Sequence, residues 1–128
     1  MPYRSLPRSI AAVLLAAVPV CAAADAAVAA DAKEMLGKWR WQDFTIEVVE
    51  CKAGDICARV IAGPKNVGLD MLASKLTAKG NDLIGQIAHP ETKEIYNTRF
   101  QRKDNDRWRL DGCTASRVCL TGELVRVR

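Results

Sequence analysis

Four cysteines and one histidine are the residues of this 128-residue chain whose types and spacing could support redox or metal chemistry. The cysteines form two pairs with the same spacing, Cys51 with Cys57 and Cys113 with Cys119. Such a set could form two disulfides or bind one structural zinc ion. Structural zinc ligands commonly lie two to four residues apart, whereas five residues separate each pair here. The spacing therefore favours disulfides over a zinc site.

Catalytic groups are scarce in the sequence. His89 is the single histidine, and it precedes Pro90 in a turn-rich segment, which predicts a histidine on a surface loop. The sequence contains no nucleophile elbow, phosphate-binding loop or helical zinc-binding motif. The carboxylates fall mostly in turns or on the predicted outward faces of strands. We therefore expect a protein that is not an enzyme and that has no catalytic residues, no cofactor and no metal.

The first thirty residues have the pattern of a secretory signal peptide. Arg4 and Arg8 precede an apolar run over residues 10–20, and small residues dominate positions 22–30. We predict a signal peptide over residues 1–30 and a single domain over residues 31–128, located in the periplasm or secreted. Export to an oxidising compartment also favours disulfides. We expect no transmembrane segment in the mature chain, because nothing in it is apolar over a sufficient length.

The position of signal cleavage stays open at this stage. Cleavage after Ala24, Ala29 or Ala30 would satisfy the requirement for small residues. The fifth cysteine, Cys21, could be a lipidation site, but Val20 stands where such processing requires a small residue. We expect Cys21 to be removed with the signal peptide.

Composition limits the class of protein. The chain is 49% hydrophobic and carries a formal net charge of +4, which suits one globular domain with a core. This charge is too small for a dedicated nucleic-acid-binding protein, so we expect no nucleic-acid partner.

The mature chain is predicted to be all-β. Runs of β-forming residues alternate with turn clusters, and apolar residues alternate with polar ones, as in the segment from Phe44 to Val48. One-sided strands of this kind are typical of an antiparallel sheet with one face on a core. We predict about eight strands, at residues 37–42, 44–51, 56–61, 69–77, 83–88, 95–102, 107–112 and 118–127; the fourth segment could instead be a short helix.

The alternation also predicts how neighbouring strands pair. We place Phe100 opposite Trp108 with a three-residue loop at 103–105, Trp108 opposite Leu124, and Val48 opposite Val60. These registers bring the cysteines of each pair face to face. The predicted disulfides are therefore Cys51–Cys57 and Cys113–Cys119.

Short blocks of sequence occur in an order that resembles a known family. The blocks are Gly37-Lys38-Trp39, Val49-Glu50-Cys51, Ile56 to Ile61, Gly85-Gln86-Ile87, Pro90-Glu91-Thr92, Gly112-Cys113, and Cys119 with Thr121 and Arg126. Over most of residues 36–128 the chain is similar to the exported bacterial family known as domain of unknown function 2147. It departs from the family at Lys93, where a glycine is usual, and at Leu124, where a tryptophan is usual.

The resemblance implies a small calycin, a lipocalin-like antiparallel up-and-down β-barrel. Calycins carry a Gly-x-Trp motif on the first strand and a basic residue on the last strand that packs over the tryptophan. Gly37, Trp39 and Arg126 match this pattern. We expect these three residues to close one end of the barrel through a cation–π contact.

A barrel of about eight strands can hold one small ligand in its mouth, which makes the chain a candidate carrier in the cell envelope. The ligand would be lipophilic, such as an acyl chain whose head group meets Tyr96 and Arg126. The same inward side chains could instead fill a solid core. The candidate lining residues are Phe44, Ile46, Val48, Tyr96, Phe100, Trp108 and Leu110.

The alternative function is a non-catalytic interaction module of the envelope. Arg99, Arg107 and Arg109 are predicted to lie together on the outward face of adjacent strands. Such a face could bind an envelope protein or an anionic surface, and an exposed edge strand could pair with a partner.

Overall fold

The computed structural model of the chain describes residues 30–128 and has the predicted all-β fold. Residues 1–29 of the predicted signal peptide, with Cys21, Ala24 and Ala29, lie outside the described residues. A short 3-10 helix, Ala32–Met35, precedes the strands. The eight strands are β1 (Gly37–Trp41), β2 (Phe44–Lys52), β3 (Asp55–Ala62), β4 (Thr77–Lys79), β5 (Asp82–Ala88), β6 (Ile95–Asp104), β7 (Arg107–Cys113) and β8 (Cys119–Arg126).

All eight strands form one antiparallel sheet in the order β3-β2-β1-β8-β7-β6-β5-β4. Every neighbour in this order is also a neighbour along the chain, except where β1 pairs with β8. The sheet is therefore an up-and-down meander whose first and last strands meet in its middle. It curls into a half-barrel, and the inward side chains pack inside the curl.

The segment after β3 bridges the two ends of the curled sheet. The N–H of Met71 donates to the carbonyl of Ala58 in β3 (2.7 Å), and the N–H of Ala88 in β5 donates to the carbonyl of Met71 (2.7 Å). A second link joins β3 to the same segment, because the N–H of Val60 donates to the carbonyl of Leu69 (2.9 Å). Residues 68–72 thus close part of the barrel without forming a regular strand.

The prediction of a continuous strand at 69–77 is wrong. Asp70 and Leu72 form isolated bridges, and regular pairing resumes only in β4. The interruption arises because the chain turns inward, so that the side chain of Leu76 occupies the space above Gly85. A Cβ atom at Gly85 would lie 2.6 Å from that side chain. Because of this inward turn, the segment lacks continuous strand pairing, and its side chains fill part of the barrel interior.

The inward faces of the other strands agree with the predicted alternation. All seven of the apolar and aromatic residues assigned to the inward face are buried, and Thr98 between them is buried as well. The hydroxyl of Thr98 donates to the carbonyl of Tyr96 (3.1 Å), which satisfies the polar group inside the core. The seven are Phe44, Ile46, Val48, Tyr96, Phe100, Trp108 and Leu110.

Only one of the three predicted registers is correct. Trp108 lies opposite Leu124, as predicted, and this register brings Cys113 opposite Cys119. Phe100, however, lies opposite Leu110 rather than Trp108. Strand β6 continues two residues further toward the turn than predicted, with a bulge between residues 102 and 104, so the three-residue loop at 103–105 does not form.

The observed register of β6 and β7 avoids a pairing of like charges. The predicted register would have placed Arg99 opposite Arg109, and like charges directly across a strand pair are destabilising. The observed register places Arg99 opposite Asp111. A shift of two residues keeps every side chain on its own face, so the alternation cannot distinguish the two arrangements.

The β2–β3 hairpin is shifted in the same way. Val48 pairs with Ala58 rather than Val60, and the pairing is irregular between Glu50 and Lys52. Cys51 and Cys57 still bond, because a Cα–Cα distance of 5.7 Å across the irregularity is within the range for a disulfide. The second predicted bridge, Cys113–Cys119, is also present. Both predicted disulfides are confirmed.

One end of the barrel is held by the first and last strands. The guanidinium of Arg126 lies 4.2 Å from the centre of the fully buried Trp39 ring. The indole N–H of Trp39 donates to the carbonyl of Met35 (2.7 Å). Gly37 is required beside them, because a Cβ atom there would lie 2.6 Å from Nη1 of Arg126. The predicted cation–π contact between Arg126 and Trp39 is therefore present.

Arg126 also ties together segments that are distant in the chain. Its guanidinium donates to the carbonyls of Leu36 (2.9 Å), Glu34 (3.3 Å) and Asn105 (3.0 Å). Its Nε lies 3.3 Å from a carboxylate oxygen of Asp106. The same side chain therefore joins the 3-10 helix, the β6–β7 turn and β8.

We predict that Trp39→Ala lowers the free energy of unfolding by about 3–5 kcal/mol, because it removes a buried ring and the cation–π partner of Arg126. This corresponds to a fall in Tm of at least about 12 °C for a domain of this size. Thermal unfolding measures it, with Val118→Ala as the control because Val118 is exposed. A fall of only a degree or two would contradict the structural role of Trp39.

We also predict that the purified exported protein contains only the two local disulfides. Each joins the two strands of one hairpin, so proteolytic peptides from the unreduced protein should retain the links Cys51–Cys57 and Cys113–Cys119. Mass spectrometry of those peptides tests the connectivity. A link from Cys51 to Cys113 or to Cys119 would be incompatible with this sheet order.

Candidate functional site

The barrel wall is open beside the first residues of β3. Along the edge of β3 that faces residues 68–72, the backbone groups of Val60 and Ala58 are hydrogen-bonded. The alternation of an antiparallel strand directs the N–H and C=O of Ile56 to the same edge. Within residues 30–128 these two groups have no backbone partner across the gap. The closing segment has turned inward at this level, which leaves the wall incomplete.

This gap forms a cleft of about 250 Å³ between the start of β3 and residues 73–76. We call it the wall cleft. Its floor is apolar and its rim is polar and charged. The floor includes the buried or half-buried residues Ala32, Ile56, Leu72 and Leu76; the rim includes Lys52, Asp55, Asp70, Ser74, Lys75 and the exposed Ala73, with the Cys51–Cys57 disulfide at one side.

A small apolar cavity of about 30 Å³ lies behind the floor of the wall cleft. Ile56, Leu72 and Leu76 line both spaces, so these three side chains separate the cleft from the barrel interior. A volume of this size accommodates about one water molecule or methyl group. The interior is therefore packed, and a lipid-sized ligand has no room in it.

The predicted lining residues consequently belong to the core. Ile46, Val48 and Phe100 border the small cavity, together with Trp39. The remaining four, Phe44, Tyr96, Trp108 and Leu110, are buried against other core side chains and border neither the cavity nor the wall cleft.

Sequence reasoning missed the residues of the wall cleft. Ile56 was assigned to a strand without any role, and Leu72 and Leu76 were assigned to a strand that does not form. The sequence signal for this site is the mixture of polar and apolar residues over 69–77, which departs from regular strand alternation. This mixture is equally compatible with a short helix.

An ion pair spans the rim of the wall cleft. Nζ of Lys75 lies 3.3 Å from Oδ1 of Asp55, so the inward-turning segment and the β2–β3 turn are joined across the opening. The Lys75 side chain is 74% exposed, and exposed pairs contribute only about 0–1 kcal/mol. Breaking this pair therefore costs little. Lys52 lies on the same rim and has no ion-pair partner among the described residues.

Asp70 fixes the end of the wall cleft where the barrel closes. Its Oδ1 accepts hydrogen bonds from the N–H groups of Ala58 (3.1 Å) and Leu72 (3.1 Å). The carboxylate thus substitutes for a backbone acceptor on the edge of β3. It marks the point beyond which the wall is open.

The residues proposed to bind a ligand head group have other roles. Arg126 is engaged by backbone carbonyls and by Asp106. Tyr96 is buried beside His89, with a distance of 5.8 Å between the ring centres. Neither side chain borders the wall cleft or the small cavity.

The predicted basic face is neutralised by carboxylates of the same surface. Arg99 lies 3.5 Å from Asp82, Arg107 lies 3.2 Å from Asp104, and Arg109 lies 3.1 Å from Asp111. Each arginine that was expected to meet an anionic partner is therefore paired within the chain.

His89 lies in the loop between β5 and β6, as predicted, but it is half-buried there. Its ring packs 5.1 Å from the ring of Trp41, and its Nδ1 accepts a hydrogen bond from the N–H of Glu91 (3.0 Å). Burial lowers the pKa of His89, and the nearby carboxylates of Glu91 and Glu94 oppose that shift. A neutral imidazole is therefore part of the loop that joins β5 and β6.

The described part of the chain holds no group of three or more His, Cys, Asp or Glu side chains that could bind a metal ion. In residues 30–128 no helix has the length and apolar character needed to cross a membrane.

Comparison with known proteins returns no matching family model, no similar curated protein and no similar solved structure. The resemblance to domain of unknown function 2147 therefore stays a prediction from short motifs.

We predict that the Tm falls as the pH is lowered below about 6.5, the ordinary pKa of histidine. The pKa of His89 is lowered in the folded protein, so in this range the unfolded chain binds the proton more readily and unfolding is favoured. The contribution of His89 is complete above pH 6.5 and declines below it. Protonation also removes the acceptor that Nδ1 offers to Glu91.

Thermal unfolding between about pH 5.5 and 8 tests this for the wild type and for His89→Asn. Asparagine can place an acceptor near the position of Nδ1 but does not titrate. The variant should show a flatter dependence of Tm on pH over this range. Identical slopes for the two proteins would refute the assignment to His89.

Proposed function

We propose that this chain is an exported, non-catalytic binding protein of the cell envelope that holds a small amphiphile in the wall cleft. The carbon chain of the ligand would lie on the apolar floor, and an acidic head group would lie at the rim near Lys52 and Lys75. The observation that carries the proposal is the opening in the barrel wall at Ile56, where an apolar floor is reached from solvent through a charged rim.

The size of the wall cleft sets the size of the ligand. Pockets for drug-sized molecules commonly have volumes of about 300–1,000 Å³, so a cleft of about 250 Å³ suits a smaller molecule. The packed interior argues against a long acyl chain threaded along the barrel axis. A medium-length fatty acid, with about ten carbon atoms, is the chemical class that fits.

The two disulfides indicate a compartment outside the cytoplasm. The signal-peptide pattern supports the periplasm in particular. Ala30 is buried, and its N–H donates to the carbonyl of Gly80 (3.4 Å). Cleavage after Ala30 would remove this contact, so we propose cleavage after Ala24 or Ala29.

The alternative function through Arg99, Arg107 and Arg109 has less support, because these arginines are paired with carboxylates. The alternative through an exposed edge strand keeps two places in the described residues: the stretch of β3 around Ile56, which borders the wall cleft, and the exposed strand β4 at the other end of the sheet.

We predict that the mature protein binds decanoate with a Kd of about 10–100 µM. This follows from about 12 non-hydrogen atoms that each contribute about −0.5 kcal/mol, a value within the range for small ligands. Isothermal titration calorimetry measures the affinity. The fluorescence of Trp39, which borders the small cavity behind the floor, provides a second signal.

Two matched variants locate the site. Ile56→Glu places a carboxylate on the floor and should weaken decanoate binding at least about tenfold, since a charge is buried against the carbon chain. Val49→Glu makes the same change on the neighbouring strand, where Val49 is exposed and lies outside the cleft, and should leave the affinity unchanged. Absence of binding by the wild type, or equal loss in both variants, would refute the wall cleft as the ligand site.

A further inference from the structure

Three cations on the outer surface of β1 and β3 have no ion-pair partner in the described residues: Lys38, Arg40 and Arg59. We call this surface the unpaired basic face. All three side chains are exposed. Glu47 of β2 lies opposite both Lys38 and Arg59 in the strand register, and Asp70 lies opposite Arg59 on the other side of β3. The carboxylate of Glu47 forms no ion pair with either cation within 4.0 Å.

Three arginines of β6 and β7 differ in this respect. Arg99, Arg107 and Arg109 each have a carboxylate within 3.5 Å. The charges of these three arginines are balanced within the protein. The cations of the unpaired basic face remain available to bind an anionic partner.

Exposed aliphatic side chains accompany the unpaired cations. Val49 and Ile61 are each 37% exposed on the outer side of β2 and β3. Val125 of β8 is 43% exposed and lies opposite Arg40. Cations interspersed with aliphatic groups suit the boundary between phosphate head groups and acyl chains, where both kinds of side chain find a partner.

The shape of this face favours binding to an extended surface over binding to a single side chain of a partner. It is formed by the regular strands β1, β2 and β3, and none of its cations lines the wall cleft or the small cavity. A pocket for one anchoring group is therefore not part of it. A laterally uniform anionic surface is complementary to such a face.

We propose that the unpaired basic face binds the anionic surface of a phospholipid bilayer. The proposal goes beyond ligand binding in the wall cleft and does not depend on it. Each Lys or Arg near an anionic bilayer strengthens binding by about fivefold, and the attraction extends over about 10 Å or less at physiological ionic strength. Binding of this kind is peripheral and reversible by salt.

The test is co-sedimentation of the mature protein with vesicles of phosphatidylcholine alone or with about 30 mol% phosphatidylglycerol. The first variant is Lys38→Gln with Arg40→Gln and Arg59→Gln. The matched control is Arg99→Gln with Arg107→Gln and Arg109→Gln, which removes the same net charge from arginines that have carboxylate partners. We expect the wild type and the control to partition onto anionic vesicles with similar affinity, and the first variant to lose about 100-fold in affinity.

A single substitution, Glu47→Gln, provides a gain-of-binding readout that does not depend on loss of folding. It removes the acidic residue from the face and should strengthen partitioning several-fold, while salt at about 0.5 M should abolish it. Equal losses in the two triple variants would show that binding follows net charge alone and would overturn the proposal. Equal partitioning of the wild type onto neutral and anionic vesicles, or none onto either, would also overturn it.

Discussion

The contact between Arg126 and Trp39 holds together the two halves of this protein. The sheet order places β1 and β8 in the middle, so their pairing joins β1–β3 to β4–β8. That pairing is short, with Trp39 opposite Arg126 and Arg40 opposite Val125. The guanidinium stacks on the indole and donates to carbonyls from the 3-10 helix and the β6–β7 turn. A charged side chain thus reinforces the junction between β1 and β8, where the strands pair over the fewest residues.

The candidate binding site exists because closure at the other seam is incomplete. Residues 68–72 bridge β3 and β5, but the chain then turns inward so that Leu76 can pack over Gly85. The same turn fills the barrel and leaves the edge of Ile56 that faces away from β2 without a neighbouring strand. A packed interior and an open wall are therefore two consequences of one backbone feature, and the cavity expected inside the barrel is replaced by a cleft in its wall.

Ion pairs distinguish the cations on the outer surface of the sheet. Arg99 pairs with Asp82 of the neighbouring strand, and Arg109 pairs with Asp111 of its own strand. Lys38, Arg40 and Arg59 have no ion-pair partner among the described residues, although Glu47 lies opposite Lys38 and Arg59, and Asp70 lies opposite Arg59. The outward arginines that were predicted to form an interaction surface are therefore paired, and other cations are left to bind a partner.

Some features of this protein were determined by the sequence alone, because they depend on local periodicity and on residues near each other in the chain. The all-β class, the buried faces of the strands from Phe44 to Leu110, and both disulfides are of this kind. Registers that differ by two residues keep the same faces, so only the packed structure could place Phe100 opposite Leu110 and Val48 opposite Ala58. The wall cleft likewise required the tertiary structure. The sequence pattern predicts that the strand continues through Leu76, whereas in the structure Leu76 turns inward and packs against Gly85.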